Sequence, residues 1–371
     1  MKKKVGILTW HYYLNFGSAL QAYALKKTIS DSGFKAEIIN YRNPKYGKPS
    51  ALTDCARLLM SYAFSKKGFM LGRRVTYPFL RFHKDFLRMG KYIMDVGELQ
   101  KKVSHYEAVV CGSDQIWAPS VFNSTYFLDF VNGNTKKVSY AASIGLNDIP
   151  QELQGKYTSL LSDFNAISVR ESKGKELLGE KCNIEASVVL DPTLLVDVEH
   201  WHTLERKPTD ICFDFSKPYL LCYFLKADNE YRESVERYAK ENKLNIIGYS
   251  LNPDDNGWML NEKDYIGPRE FLWMVRNAHS VITDSYHGTI FCLLNHKKFI
   301  TLERFSNDDA ICQNSRIYQL VEYFGIGDNI VNVVKDTKLQ IKPVDYRAFE
   351  KNLFSLRVKS KDFLKAALEE K

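Results

Sequence analysis

The sequence has no long hydrophobic run, no paired-cysteine motif and no surplus of glycine or proline. Its 371 residues include 20 glycines and 11 prolines, too few for a fibrous or low-complexity chain. No stretch approaches the roughly 20 apolar residues of a membrane span. The seven cysteines are odd in number and form no C-x-x-C pair, which argues against a disulfide framework or a cysteine zinc site. These absences predict a cytoplasmic globular protein with reduced cysteines.

Nucleotide and nucleic-acid signatures are also missing. The chain contains neither G-x-G-x-x-G nor the Walker P-loop lysine motif, and it has no RNA- or DNA-binding motif. A formal net charge of +8 is too modest to indicate nucleic-acid binding, but it suits a small anionic substrate or an acidic membrane surface. We therefore expect no nucleic-acid partner, no metal and no bound cofactor.

What the sequence does contain is a repeated alternation of strand-like and helix-like segments. Short β-favouring runs, such as residues 3–10 and 106–111, alternate with segments of helical periodicity such as 151–164 and 268–278. A charged, turn-rich stretch at 200–217 separates two such series. The alternation predicts an α/β protein made of two doubly wound Rossmann-like domains that face each other across a cleft.

The same pattern sets the expected domain limits. We place an N-terminal domain at residues 1–205, a C-terminal domain at 215–340, and a C-terminal helix at 345–371 that packs back across both. The N-terminal domain carries a basic, aromatic helical insertion at about 50–90. That insertion could cover the active site or touch a membrane-borne acceptor, and a helical pair packed on the sheet explains the pattern equally well.

Polar residues stand where the strand at 281–283 meets the following helix. Asp284, Ser285 and His287 occupy this joint. Because the carboxyl ends of parallel strands face the ligand crevice, these side chains should project into a site. The alternative is that Asp284 or Ser285 caps the helix and that His287 is a hydrogen-bonded wall residue.

Two strand ends in the N-terminal half have the same character. Asn15, Gly17 and Ser18 follow the first strand and begin a helix, where backbone N–H groups can receive an anion. Asp114 and Trp117 follow the strand at 106–111. Asp114 could accept hydrogen bonds from sugar hydroxyls or act as a base, and Trp117 could stack on a pyranose ring. The alternatives are an ordinary helix cap, and a capped turn with a buried tryptophan.

Arg170 ends another strand, at 166–169. Its guanidinium group either pairs with a neighbour such as Glu171 on the surface or offers its planar fork to a phosphate or carboxylate.

Together these segments resemble the polysaccharide pyruvyl transferase family. The matching elements are N-F-G at 15–17 followed by Leu20 and Gln21, G-S-D-Q-I-W at 112–117, S-V-R-E at 168–171, D-P-T at 191–193 and the stretch 280–296. They occur in the family's order and span nearly the whole chain. One position departs from the family pattern: many members have S-x-R-x-H, whereas this chain has Thr283 and Ser285 before His287.

The resemblance implies a reaction and a fold. It implies that a pyruvyl group passes from phosphoenolpyruvate, a co-substrate, to two hydroxyls of a sugar, giving a cyclic ketal and phosphate during synthesis of a surface polysaccharide such as a capsule or exopolysaccharide. It also implies the arrangement of glycosyltransferases of the B type. The catalytic residues would be His287 and Asp284, and histidine suits this work because it exchanges protons near neutral pH.

Substrate binding can be assigned in the same way. Donor-binding candidates are Arg170, Ser285, Tyr286, Gly288 and Arg316. Acceptor-binding candidates are Asn15, Gly17, Ser18, Asp114 and Trp117. Arg316 opens a helix after a polar loop, and we expect it to supply the positive charge that Ser285 lacks.

The location of the acceptor and the type of function stay open at this point. The sugar acceptor could be lipid-linked, in which case the protein would work at the inner face of the plasma membrane and make peripheral contact with it. Two other functions fit the same cleft: a nucleotide-sugar-dependent glycosyltransferase and a non-catalytic glycan-binding protein.

Overall fold

The computed structural model describes residues 2–12, 14–42, 77–209, 211–226, 229–250, 266–305, 312–333 and 337–369. Most of the insertion predicted at 50–90 lies outside the described residues, as does part of the polar loop before Arg316. No helix in the described parts is long and apolar enough to cross a membrane.

Short strands and helices alternate along the chain. The strands are β1 (Lys4–Leu8), β2 (Lys35–Ile38), β3 (Ala108–Cys111), β4 (Lys136–Ser139), β5 (Ser168–Val169), β6 (Ser187–Val188), β7 (Tyr219–Phe224), β8 (Asn245–Ser250), β9 (Ser280–Thr283), β10 (Lys298–Leu302) and β11 (Ile330–Val331). The helices are α1 (Phe16–Asp31), α2 (Val96–Val103), α3 (Gln151–Leu161), α4 (Ser172–Cys182), α5 (Val198–Leu204), α6 (Asn229–Glu241), α7 (Pro268–Asn277), α8 (Tyr286–Leu294), α9 (Ser315–Phe324) and α10 (Tyr346–Glu369). Helical residues 77–82 continue into a π-helical turn, His83–Leu87.

The first sheet is parallel, with strand order β2, β1, β3, β4. Strand β3 reads Ala-Val-Val-Cys and is buried throughout, as a parallel strand covered on both faces requires. Single bridges from Val138 to Ala166 and from Ala142 to Val169 continue the sheet to β5, which pairs with β6. Because β2 and β3 lie on opposite sides of β1, a crevice opens at the carboxyl end of β1.

The second sheet is also parallel, with strand order β11, β10, β9, β7, β8. Its order reverses at β7, so its own crevice lies between the carboxyl ends of β7 and β9. The prediction of two doubly wound Rossmann-like domains is therefore confirmed.

A continuous apolar core joins the two domains. Phe16, the first residue of α1, stacks on Phe271 of α7 with ring centroids 4.6 Å apart. The Phe16 ring also lies 5.3 Å from that of Tyr223 in β7. Burying such a ring contributes about 1.5–3 kcal/mol, so the start of α1 is held firmly against the second domain.

The C-terminal helix α10 packs back on both domains, as predicted. The Leu190 N–H donates to Ser360 Oγ at 3.0 Å, which ties the helix to the first domain. Asn352 Nδ2 donates to the Tyr323 carbonyl at 3.0 Å, which ties it to α9 of the second.

The stretch 200–217, predicted as a linker, begins instead within helix α5. Trp201 and Leu204 lie three residues apart and are both buried. The Trp201 ring meets Phe291 of α8 edge-on at 5.2 Å. Polar residues surround these two, so the sequence alone shows no clear helical periodicity. The helix is stabilised by its contact with the second domain.

Candidate active site

Helices α1 and α8 begin beside each other, one from each domain. Asn15 caps α1, with its Oδ1 accepting the Ser18 N–H at 3.2 Å. Gly17 lies so close to His287 that an added Cβ would stand 2.1 Å from Nδ1. The imidazole thus fills the space of a side chain at residue 17, and only glycine permits this approach.

Ser18 and Asp114 are paired with each other. Ser18 Oγ donates to Asp114 Oδ2 at 2.6 Å, and both side chains are buried. Asp114 has a φ of 73°, in the left-handed region that aspartate tolerates better than most residues. The contact links the start of α1 to the end of β3, so two predicted acceptor-binding residues also stabilise each other.

Asp191, just after β6, is the centre of a buried polar cluster. Its Oδ2 accepts from Arg170 Nη1 at 2.8 Å and from Ser113 Oγ at 3.2 Å, and its Oδ1 accepts the Thr193 N–H at 2.9 Å. His287 Nε2 lies 3.4 Å from Oδ2. Burial alone would raise the pKa of Asp191, but His287 and Arg170 hold that pKa well below its usual range. The carboxylate is therefore ionised and connects the two domains.

Arg170 is only 1% exposed, yet it keeps unused hydrogen-bond donors. Its Nε lies 3.9 Å from Glu171 Oε2, too far for a hydrogen bond. Among the described residues, Arg170 Nε and Nη2 have no hydrogen-bond partner, and neither has His287 Nε2. Each such buried group costs about 1–3 kcal/mol, so a cluster of them is typical of a binding site.

The start of α8 combines a side-chain cap with backbone N–H groups that have no intrahelical partner. Ser285 Oγ accepts the Gly288 N–H at 3.3 Å. An added Cβ at Gly288 would meet Thr283 Oγ1 at 2.5 Å, which shows how tightly the helix sits on β9. Ser285 and Gly288 therefore stabilise the start of the helix, and their predicted role in binding a donor stays a prediction. The N–H groups of Tyr286 and His287 precede the first intrahelical bond and are the ones available to an anion.

Tyr286 brings two arginines together. The Cζ of Arg170 lies 4.4 Å from the centroid of the Tyr286 ring, and the Cζ of Arg316 lies 5.9 Å from it. All three side chains are buried. The structure thus places Arg316, predicted as a donor-binding residue, beside Arg170.

Asp284 faces away from this cluster. Its Oδ1 accepts the Leu225 N–H at 2.7 Å and its Oδ2 accepts the Lys226 N–H at 2.8 Å. Burial raises the pKa of Asp284 to about 6, against the opposing effects of Arg304 and the backbone hydrogen bonds. The carboxylate joins the end of β9 to the chain after β7, which is a structural role, and the predicted catalytic role stays a prediction.

Trp117 is a core residue. Its Nε1 donates to the Tyr126 carbonyl at 3.0 Å, and its ring stacks on Phe127 at 5.3 Å. The side chain is completely buried, so it cannot stack on a sugar. The expectation that Trp117 binds the acceptor is wrong, and the buried-tryptophan alternative is correct.

The local sequence pattern predicts no role in the site for Asp191 or for Gln21 and Ser113, which lie behind it. Gln21 Nε2 donates to Thr9 Oγ1 at 2.9 Å, and its Oε1 accepts the Ser113 N–H at 3.2 Å. This bridge between the ends of β1 and β3 positions Ser113 against Asp191. The signal available in the sequence is the place of Asp191 in a D-P-T element after a strand, which parallels the place of Asp284 after β9.

The assembled groups define what the site can do chemically. Nε2 of His287, beside an ionised carboxylate, can hold and release a proton. Arg170, Arg316 and the first turns of α1 and α8 can bind an anion. Within the described ranges, no three His, Cys, Asp or Glu residues are grouped to hold a metal ion.

Comparison with known families agrees with this geometry. The family model described as polysaccharide pyruvyl transferase matches residues 15–307, well over half of the chain. The chain belongs to the polysaccharide pyruvyl transferase family. The matched residues of this pyruvyl transferase family member include Asn15, Asp114, Arg170, Asp191 and His287, and they stop before Arg316.

Solved structures resemble this member of the family in fold. An α-glucosyltransferase solved in complex with UDP and a 13-mer DNA is 10% identical, with 99% of this chain and 95% of that chain covered and a TM-score of 0.50. The UDP-GlcNAc 2-epimerase of Neisseria meningitidis is 12% identical, with 99% and 94% covered and a TM-score of 0.49. Curated proteins give no match to the sequence. The likeness to the glucosyltransferase concerns the fold alone, which is of the glycosyltransferase B type.

Proposed function

We propose that this protein transfers a pyruvyl group from phosphoenolpyruvate to two hydroxyls of a sugar, forming a cyclic ketal for a surface polysaccharide and releasing phosphate. The observation that carries the proposal is the buried Arg170 beside the Asp191–His287 pair. Its Nε and Nη2 have no hydrogen-bond partner in the part of the chain that the structure describes. Phosphoenolpyruvate would bring a phosphate and a carboxylate to these donors. Membership of the family supports the same class of reaction.

In the proposed reaction His287 acts first as an acid. Its Nε2 gives a proton to the methylene carbon of phosphoenolpyruvate, which leaves the central carbon electron-poor and open to attack by a sugar hydroxyl. The ionised Asp191, 3.4 Å from Nε2, stabilises the imidazolium before the transfer. The hydroxyl proton then returns to His287, so the residue is ready for the second step.

In the second step the bond from the central carbon to the phosphate oxygen breaks, and the second hydroxyl attacks the same carbon. One of the two hydroxyl protons ends on the new methyl group and the other on the phosphate, so no oxidant or reductant is required. The cationic Arg170 would offset the charge that develops on the leaving phosphate.

The test is incubation of the full-length protein with phosphoenolpyruvate and a panel of lipid-linked and nucleotide-linked sugars. We expect phosphate release that depends on the sugar, and a product carrying one added pyruvyl ketal by mass spectrometry. Release of a nucleoside diphosphate from a nucleotide sugar would contradict the proposal and indicate a glycosyltransferase. Glycan binding without turnover would contradict it in favour of a binding protein.

We also propose that the protein meets its acceptor at an anionic membrane, through the outer face of residues 77–88. Tyr77 and Leu80 are 59% and 58% exposed on this face. The charged residues exposed along the same segment are three basic and one acidic: Arg81, Lys84, Arg88 and Asp85. Apolar side chains among basic ones suit the headgroup region of an acidic bilayer.

Vesicle sedimentation tests this second proposal without any activity measurement. We expect binding to phosphatidylcholine vesicles that contain phosphatidylglycerol, and little binding to phosphatidylcholine alone. Lys84→Glu should weaken the binding at least about fivefold, because each basic residue near the surface contributes about 1 kcal/mol. The matched control Phe354→Ser removes a 70% exposed side chain from α10 and should change nothing. Equal binding by the Lys84→Glu variant and the unaltered protein would refute the assigned face.

A further inference from the structure

Arg316 is a buried cation that forms no ion pair with any residue the structure describes. It is 6% exposed, and its guanidinium group donates to Gln313, through Nη2 to Oε1 at 3.0 Å and through Nε to the carbonyl at 3.4 Å. Among the residues that the structure describes, no carboxylate forms an ion pair with it. Burial, together with nearby Arg170 and Arg304, lowers the pKa of Arg316 to about 9, although the charges of Glu171 and Asp114 act in the opposite direction. Holding an unpaired charge in such a place is unfavourable until an anion arrives.

The position of Arg316 is fixed by the helix that carries it. Gln319, three residues further along α9, accepts the Ser172 N–H through its Oε1 at 2.6 Å. Residues three apart lie on the same face of a helix, so Arg316 and Gln319 both face the first domain. Helix α9 is thereby docked on the chain immediately after Arg170.

The two arginines differ in how their charge is balanced. Arg170 Nη1 donates to Asp191 Oδ2 at 2.8 Å, whereas Arg316 forms no ion pair with a carboxylate in the described ranges. Both guanidinium groups lie near the ring of Tyr286. Two like charges this close repel, and an anion between them would relieve the repulsion. A ligand with one anionic group can be held by Arg170 and the helix starts alone. A second buried cation suits a second anionic group.

We propose that Arg316 is the second anion-binding residue of the donor site, so that one small ligand with two anionic groups bridges Arg170 of the first domain and Arg316 of the second. Phosphoenolpyruvate, with its phosphate and carboxylate, is a ligand of this class, and only this identification rests on the proposed function. Ser285 is neutral and engaged as a cap, so it cannot supply the charge. Arg316 also lies outside the residues that the family model matches.

Calorimetric titration of the full chain tests the bridge. The probes are phosphoenolpyruvate and pyrophosphate, which carry two anionic groups, and inorganic phosphate, which is a single one. Arg316→Gln should weaken binding of both two-group probes roughly tenfold to a hundredfold, the usual loss for a charge-assisted contact, and affect inorganic phosphate far less. Arg316→Lys should recover part of the loss. The control Arg357→Gln removes an arginine that pairs with Asp197 at 2.7 Å on α10, and it should bind like the unaltered protein.

The outcomes separate this inference from the proposed function. If the unaltered protein does not prefer phosphoenolpyruvate but Arg316→Gln still weakens pyrophosphate binding, the bridge stands and the donor is a different one. If Arg316→Gln leaves both two-group probes unchanged, the bridge is wrong whatever the donor. The Tm of ligand-free Arg316→Gln should be equal to or above that of the unaltered protein. A lower Tm together with equal losses for all three probes would assign Arg316 a structural role and overturn the proposal.

Discussion

Asp191 and Asp284 follow strands in the two domains and are equally buried, at 1% and 2% exposure, yet their carboxyl groups behave in opposite ways. Burial opposes ionisation at both. At Asp191 the nearby His287 and Arg170 outweigh it and hold the pKa well below the usual range. At Asp284 burial prevails and raises the pKa to about 6, although two backbone N–H groups bond the carboxylate. Arg304, which forms no ion pair with Asp284 among the described residues, and the backbone donors do not offset desolvation there, whereas Arg170 and His287 beside Asp191 do.

The comparison favours the Asp191 side of the interface for the proposed chemistry. Asp191 holds side chains from both domains, and its neighbours keep unused donors that a ligand can engage. Asp284 uses both oxygens to join the end of β9 to the chain after β7. The Asp191 carboxylate positions the side chains of the candidate site, and the Asp284 carboxylate connects two strand ends.

Removing the imidazole from the Asp191 side should have the largest effect. His287→Ala should lower turnover roughly 10²–10⁴-fold, because the proton donor of the first step is lost while the fold remains. Sugar-dependent phosphate release measures this, with circular dichroism as the check on folding. Asp284→Asn, in the same assay, should stay within about tenfold of the unaltered protein. A folded His287→Ala variant with near-normal turnover would return His287 to the role of a wall residue.

The stability of the two aspartate variants should differ as well. Asp191→Asn leaves Arg170 buried without its counterion, which should lower the free energy of unfolding by about 3–5 kcal/mol. Asp284→Asn disturbs only hydrogen bonds to backbone and should cost about 1–3 kcal/mol. Urea unfolding at pH 7 measures both. Equal losses would show that the cationic partners are not what distinguishes the two sites.

Much of the fold could be predicted because its strands are short, apolar and regularly spaced. Runs such as Ala108–Cys111 identify parallel strands that are covered on both faces, and their alternation with helices leaves few topologies. Helix α2 is not predicted by the sequence pattern, because only Leu99 and Val103 mark its buried face and its cap, Asp95, is equally typical of a turn. Such short helices are fixed by their tertiary contacts.

The site could be predicted only as far as the meeting of strand ends. That rule brings Asn15, Asp114, Arg170 and His287 to one place, as the structure shows. It does not determine the direction of each side chain, so it cannot tell that Trp117 turns into the core. The role of Asp191 depends on partners at 113, 170 and 287, far away in the sequence, and no local pattern contains them.

Asp191 and Asp284 should also differ in how they make the stability of the protein depend on pH. Because Asp284 has its pKa raised from 3.8 to about 6, the folded protein binds its proton more readily than the unfolded chain does. Its contribution to the free energy of unfolding therefore falls as the pH rises from about 4 to 6, by about 2–3 kcal/mol. Asp191 has a depressed pKa, so its contribution is present above about pH 4 and is lost only at lower pH.

Urea unfolding at pH 4, 5, 6 and 7 tests this window. The stability of the unaltered protein relative to Asp284→Asn should decrease by about 2–3 kcal/mol across it, because asparagine does not titrate. A difference that stays constant between pH 4 and 7 would mean that the Asp284 carboxyl is not perturbed as its burial implies.

The smallest expected effect concerns the packing that holds His287 beside Asp191. Gly17→Ala would place a Cβ 2.1 Å from His287 Nδ1, so the ring or the start of α1 must move. Overpacking of this kind costs about 1–3 kcal/mol, and displacing Nε2 from its position 3.4 Å from Asp191 should also reduce turnover.

Gly155→Ala is the matched control, since residue 155 is exposed in α3 with nothing within 4 Å of its added Cβ. The control should stabilise the protein by about 0.5–1 kcal/mol, as alanine does in a helix interior. If the two alanine variants were equally stable and active, the contact between α1 and His287 would not be what sets the position of the imidazole.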